Sequence, residues 1–210
     1  SKARGAPRVK ITATSTRYTK QEFAAGAATL GDELAILCDE LDEARVDESW
    51  PTTFREYQER VMAMECGIPY VIIDGPIFTQ NLVSQESGRA LYRNLIASGQ
   101  HFLGVIKDIS GSWTLSKWCG YSLERGEGFV VGPIKTQFQE RFKQRGDQLE
   151  SWLSNDMPGD YVRVVFRPGE KAFGLECRMS DFDIAVALLV ADASQTINHE
   201  LTLLLETVDV

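Results

Sequence analysis

The sequence predicts an α/β fold: a mixed β-sheet flanked by helices. Three observations carry that prediction. The stretch Ile68–Gly75, "IPYVIIDG", is a continuous apolar run that stops abruptly at Asp74-Gly75-Pro76. His101–Ser110, "HFLGVIKDIS", is a second run of the same kind, and a helical pattern over Gln85–Ser98 lies between them. Strand, helix and strand in that order form a β-α-β unit, with parallel strands and a right-handed crossover. Farther on, "YVRVVFRP" (Tyr161–Pro168) and "AFGLECRM" (Ala172–Met179) flank a "PGEK" turn, the pattern of a hairpin.

The remaining elements follow from periodicity. "RVKITATSTRY", Arg8–Tyr18, reads as a strand with Val9, Ile11, Ala13 and Ser15 on one face. Lys20–Leu41 places Phe23, Ala27, Leu30, Leu34 and Leu37 at helical spacings, although Gly26 and Gly31 weaken the helix. Cys38–Pro51 is acidic and is expected to end in a turn. Thr52 or Thr53 then caps a helix through "FREYQERVMAMECG", with Glu56 at the capping-box spacing from Thr53 and Gly67 just past the end. The unbroken apolar character of Ile68–Gly75 suits an interior strand covered on both faces. In Gln85–Ser98 the apolar stripe is Leu91, Leu95 and Ile96, with Gly99 as the stop. Trp113–Val131 does not divide cleanly. Ile134–Leu153, with Phe138, Phe142, Leu149 and Leu153 in a polar background, reads as one helix, and Asp181–Glu206 as a largely helical close. No repeat and no domain boundary shows, so one domain over residues 1–210 is expected.

Composition narrows the function classes. Hydrophobic residues are 43% and charged residues 25%, ordinary for a globular protein, and the net charge of -8 argues against a surface coated in positive charge. No long charge-free apolar run predicts a membrane span, and "SKARGAPRVK" has no apolar segment behind it to make a secretory signal. Cys38, Cys66, Cys119 and Cys177 are scattered, which fits inert thiols in a reducing cytoplasm and not a zinc site or a disulfide framework. A phosphate-cradling GxxxxGK[ST] is absent, so P-loop ATP hydrolysis is not supported.

Asp74 leads the candidate site residues. A carboxylate at the carboxyl end of a buried strand is held rigidly at the crevice outside a sheet, and Gly75 lets the chain turn away beside it. Phosphodiester hydrolysis with hard cations needs several such oxygen ligands. The plainer alternative is that Asp74 caps the following turn. Glu56 and Glu59 share a helix face and either reach toward Asp74 or form a solvated surface, with Arg55 and Arg60 beside them. Lys107 ends the second apolar run, where it either steadies a phosphate or emerges as a strand-end charge. Arg163 interrupts "YVRVVF" and either faces DNA or snorkels at a sheet edge. Lys107, Lys117, Arg163 and Arg167 are the candidates for a local basic lining. His101 and His199 suggest no nucleophilic triad.

The succession "YVIIDGPIF", helix, "FLGVIKDIS" resembles the NurA family of DNA-repair nucleases, whose members have an apolar strand ending in Asp-Gly and a later Gly-Val-(Val/Ile)-Lys strand. "FREYQERVMAME" is similar to the family's glutamate-bearing helix, "YVRVVF" to its late Arg-containing strand, and "ALLVADASQTI" to its closing helix, so the resemblance covers Thr52–Thr196. It implies a ribonuclease-H-like core, a ring-like homodimer with a DNA channel, and Mn2+- or Mg2+-dependent single-strand endonuclease and 5'-to-3' exonuclease activity at DNA ends. It also implies a hexameric HerA-family translocase as partner. Carried over by position, Asp74 takes the place of a metal-binding aspartate, Glu59 (or Glu56) that of the helical glutamate, and Lys107 that of the strand lysine.

Two departures stand out. The family's early Asp-Gly-Ser strand has no counterpart: the first aspartate is Asp32 and the early strand reads "ITATSTRY", so a domain without its first catalytic strand is expected. Asp192 stands near the place of the family's late histidine. These departures favour a rival reading, a structural or regulatory subunit that kept the nuclease fold without metal binding. A second rival is an unrelated α/β enzyme acting on a small phosphorylated ligand, with Asp74 holding Mg2+.

Overall fold

Helix α1 (Trp50–Glu65) carries Pro51 in its first turn, where a missing N–H leaves no hydrogen bond unmade. A computed structural model describes residues 37, 40, 50–112, 115–118, 122–143, 147–169 and 171–193. Pro51 therefore starts a helix instead of closing a turn, and Thr53, expected as a cap, is buried inside the helix at 1% exposure. The chain then forms β1 (Tyr70–Asp74), a short helix α2 (Gln80–Ser84), α3 (Glu86–Ala97) and β2 (His101–Ile106). After a 3-10 turn at Ser116–Trp118 come β3 (Gly128–Pro133), α4 (Ile134–Arg141), α5 (Asp147–Asn155), β4 (Tyr161–Phe166), β5 (Phe173–Arg178) and α6 (Phe182–Ala193). The strand expected over Arg8–Tyr18, Asp32 and His199 lie outside the described residues. Of the helix expected over Lys20–Leu41, Leu37 and Glu40 are described, and both are helical.

The described sheet is mixed, in the order β1-β2-β5-β4-β3. β1 and β2 are parallel, with Tyr70 opposite His101 and Asp74 opposite Val105, as the β-α-β pattern requires. β4 and β5 form the expected antiparallel hairpin, closed at Phe166 and Phe173. One expectation is corrected. Among the described residues β1, expected in the sheet interior, has β2 as its strand neighbour and lies at the sheet edge, with Tyr70 45% exposed. Its apolar run does have cover on both faces, Ile73 and half-buried Val71 packing on one side and half-buried Ile72 on the other, while Tyr70 and Asp74 at its ends are exposed. The helix expected over Ile134–Leu153 is likewise two helices, because α4 ends at Arg141, with Phe142 already out of helical conformation (φ -107°, ψ 14°).

The helices close both faces of the sheet. On one, Phe54, Tyr57, Ile73, Phe78, Leu91, Tyr92, Phe138 and Trp152 join a large aromatic core under α1 to α5. On the other, Val105, Val164, Leu175 and Cys177 pack against Ala185 and Leu189 of α6. Burial and the nearby carboxylates of Asp181 and Glu176 push the Cys177 thiol up to about 12, which fits the inert role expected of it. Among the described residues no helix is long and apolar enough to cross a membrane.

The region of interest depends on one close approach. Ile73, Gly104, Glu176 and Arg163 are successive register partners across β1, β2, β5 and β4, so they share one face of the sheet. A Cβ on Gly104 would stand 2.8 Å from the Gly75 carbonyl oxygen and 2.9 Å from the Ile77 nitrogen. The absence of that Cβ is what lets the chain leaving β1 fold back over the sheet. Gly75 itself has φ 110°, a conformation open to glycine, and its N–H donates to the Val105 carbonyl at 2.8 Å.

Candidate active site

At the carboxyl ends of β1 and β2 lies a crevice of about 510 Å3. Asp74 and Gly75 from the end of β1, Lys107 and Asp108 from the end of β2, Glu56 from α1, Thr79 from the connecting loop and Arg163 from β4 all line it. Parallel strands deliver their ends to the same side of a sheet, and open α/β sheets bind ligands there. Asp74 and Lys107 form an ion pair at 2.9 Å, with side chains 39% and 19% exposed.

The two candidate glutamates part company here. Glu56 lines the crevice and accepts a hydrogen bond from the Thr79 hydroxyl at 2.7 Å. Glu59 is turned to Arg55, at 3.5 Å, and to Arg60, at 2.9 Å, and is not among the crevice residues. Among the four cations expected to line a groove, Lys107 and Arg163 border the crevice. Arg163 is 1% exposed and paired with Glu176, with Gln137 Oε1 at 3.2 Å. Arg167 donates to the carbonyls of Gly169 and Leu123, and Lys117 sits 5.3 Å over the Trp118 ring. Neither borders the crevice. Outside it, His101 stacks on Tyr70 and has its Nδ1 2.9 Å from Asp181.

Burial pushes the Glu56 carboxyl above its ordinary value, opposed by the Thr79 hydroxyl, the Arg60 guanidinium and Asn81. The folded protein therefore holds that proton more tightly than the unfolded chain. Stability contributed by this group falls as pH rises from 4.5 through the raised value. Glu56→Gln is expected to melt at a higher temperature than wild type at neutral pH, with the difference vanishing in acid below the ordinary carboxylate range. Thermal melts of both proteins from acid to neutral pH check this, and a variant less stable at neutral pH would contradict it.

Asp74, Glu56 and Asp108 bring carboxylate oxygens, the donor type Mg2+ and Mn2+ take, to one crevice. Hydrogen bonds from Ser110 and the Gly111 backbone hold the exposed Asp108 carboxyl below its ordinary value. Among the described residues no three His, Cys, Asp or Glu side chains gather into a complete metal cage. A hard cation is also commonly held by one or two carboxylates together with the phosphate oxygens of a ligand, as Mg2+ usually is.

The residues that sequence reading passed over are Thr79, Asn81 and Glu176. Glu176 did carry a signal: it is a charged residue inside the apolar strand "AFGLECR", opposite Arg163 in the hairpin register. Compared with protein-family models, curated proteins and solved structures, the chain matches none.

Proposed function

We propose that this chain is a metal-dependent DNA nuclease of the NurA kind, built on a ribonuclease-H-like sheet. The observation that supports the reading is the convergence of Asp74, Glu56 and Lys107 on one strand-end crevice. Mg2+ or Mn2+, held by Asp74 and Glu56, would polarise a phosphodiester and lower the pKa of an attacking water. The chain's own residues do the rest. Lys107, now paired with Asp74, would pair with a non-bridging phosphate oxygen once a ligand competes for that contact. Thr79 orients the Glu56 carboxylate through its hydroxyl. Lys117 and Arg167, which lie away from the crevice, are the proposed outlying basic contacts to DNA; Arg163, buried and paired with Glu176, neither faces DNA nor snorkels at a sheet edge. The working assembly in this reading is a homodimer associated with a HerA-family hexameric translocase, acting on DNA ends.

The test is degradation of end-labelled single-stranded DNA with Mn2+, with and without EDTA. Wild type is expected to cut, EDTA to abolish cutting, and Glu56→Gln to lose about 100-fold or more in rate while Glu59→Gln stays within about threefold. A loss in Glu56→Gln no larger than about threefold would remove Glu56 from the site. One observation favours a second reading: no complete metal cage exists among the described residues, which suits a subunit that kept the fold without the chemistry. In that case wild type does not cut with either metal but still assembles with its translocase.

A further inference from the structure

The loop leaving Asp74 is held along both of its polar edges by buried charges. Glu176 is 0% exposed, and its Oε2 accepts from the N–H groups of Ile77, at 2.7 Å, and Phe78, at 3.2 Å. Its Oε1 accepts from Arg163 Nε at 2.6 Å and from Arg163 Nη2. Arg60, 1% exposed, donates to the Ile77 carbonyl at 3.3 Å and to the Pro76 carbonyl. It also donates to the Glu56 carbonyl at 3.0 Å and to Glu59 at 2.9 Å. Thr79 completes the loop: its N–H donates to the Tyr92 hydroxyl at 2.8 Å and its own hydroxyl to Glu56.

One network thus joins the backbone just beyond Asp74 to the helix that bears Glu56. Stability alone is a poor reason for it. Buried ion pairs repay their desolvation only with good geometry, and well-packed apolar residues in their place are often as stable or more so. What an apolar pair would not supply is the acceptor that fixes two successive loop N–H groups. We propose that Glu176, backed by Arg163, is a positioning residue that sets Asp74 and Glu56 relative to each other by fixing the loop between them. For its catalytic readout the inference rests on the nuclease reading; its structural readout does not.

Two double variants separate position from packing. Glu176→Leu/Arg163→Met removes both charges and the acceptor. Glu176→Gln/Arg163→Gln removes the charges but keeps an amide oxygen for Ile77 and Phe78 and an amide NH2 for position 163. In the apolar pair, amide exchange at Ile77 and Phe78 is expected to rise about 30-fold relative to Val164 and Leu175, from loss of hydrogen bonds to a charged acceptor. Its kcat on DNA is expected to fall about 100-fold with little change in KM, the effect of misplacing catalytic groups by about 1 Å. The amide pair should restore both to within about tenfold. Glu176→Asp, which keeps the charge but draws the carboxylate back, is expected to lose about tenfold or more in kcat should the apolar pair fail to fold. Unchanged kcat in the apolar pair, or in Glu176→Asp, would overturn the inference, as would unchanged exchange at Ile77 and Phe78. If wild type cuts no DNA, the nuclease reading fails by itself. The inference is then decided by amide exchange and by the carboxyl 13C resonances of Asp74 and Glu56. Shifts in the apolar pair that the amide pair reverses sustain it, and unshifted resonances overturn it.

Discussion

Asp74→Asn is expected to lose at least about 1000-fold in metal-dependent DNA cleavage, the consequence of removing several kcal/mol of transition-state stabilisation. The substitution is nearly isosteric and leaves the parallel ladder intact, since Gly75 N–H still reaches the Val105 carbonyl. What it removes is a negative charge at the crevice and the ion pair with Lys107. The Asp74 side chain is 39% exposed, so that pair contributes about 0–1 kcal/mol to stability. The variant should therefore melt close to wild type while activity collapses, and paired melting and cleavage assays check the separation. Retained cleavage would mean that Asp74 caps the turn and nothing more.

Gly104→Ala is the largest expected effect on the fold itself. The added methyl carbon would meet two backbone atoms, the Gly75 oxygen at 2.8 Å and the Ile77 nitrogen at 2.9 Å, with Ile77 Cγ1 at 3.1 Å behind them. Backbone so tightly bound cannot swing aside as a flexible side chain could: Gly75 is tied to Val105, and Ile77 to Glu176 and Arg60. Overpacking of this kind costs about 1–3 kcal/mol, and the upper half of that range is expected here. Urea unfolding with an unchanged m value measures it. The loop it displaces also carries the chain from Asp74, so activity should fall further than stability predicts. A fully stable Gly104→Ala protein would show that the loop does not press on the sheet.

The outline of the fold was legible in the residues because long apolar runs leave few options. "YVIID" and "HFLGVI" became the parallel pair, "YVRVVF" and "FGLECR" the hairpin, and Gly99 follows a helix ending at Ala97. What could not be read depended on tertiary context. A run such as Tyr70–Asp74 looks interior whether its cover comes from neighbouring strands or from helices packed on it. The five-residue helix Gln80–Ser84, capped by Thr79, is too short to show a periodicity. Glu56 and Glu59 are equivalent by spacing. Arg60, buried between α1 and the loop, separates them by drawing Glu59 to itself and leaving Glu56 to Thr79. Lys107 was recognisable at a strand end, and its 2.9 Å contact with Asp74 follows from the parallel register. The loop clamp was half visible: two charged residues in apolar strands, facing each other once the hairpin is closed at Phe166 and Phe173. That one of them would also bind the backbone of Ile77 and Phe78 required the fold.

The central claim, that the strand-end crevice holds a divalent ion through Asp74, is tested most directly by Mn2+ titration followed by paramagnetic broadening of backbone amide resonances. The account predicts selective broadening at Gly75, Asn81 and Gly111, which border the crevice, in wild type and its loss in Asp74→Asn. Broadening absent from those amides, or equally strong in the variant, would contradict it.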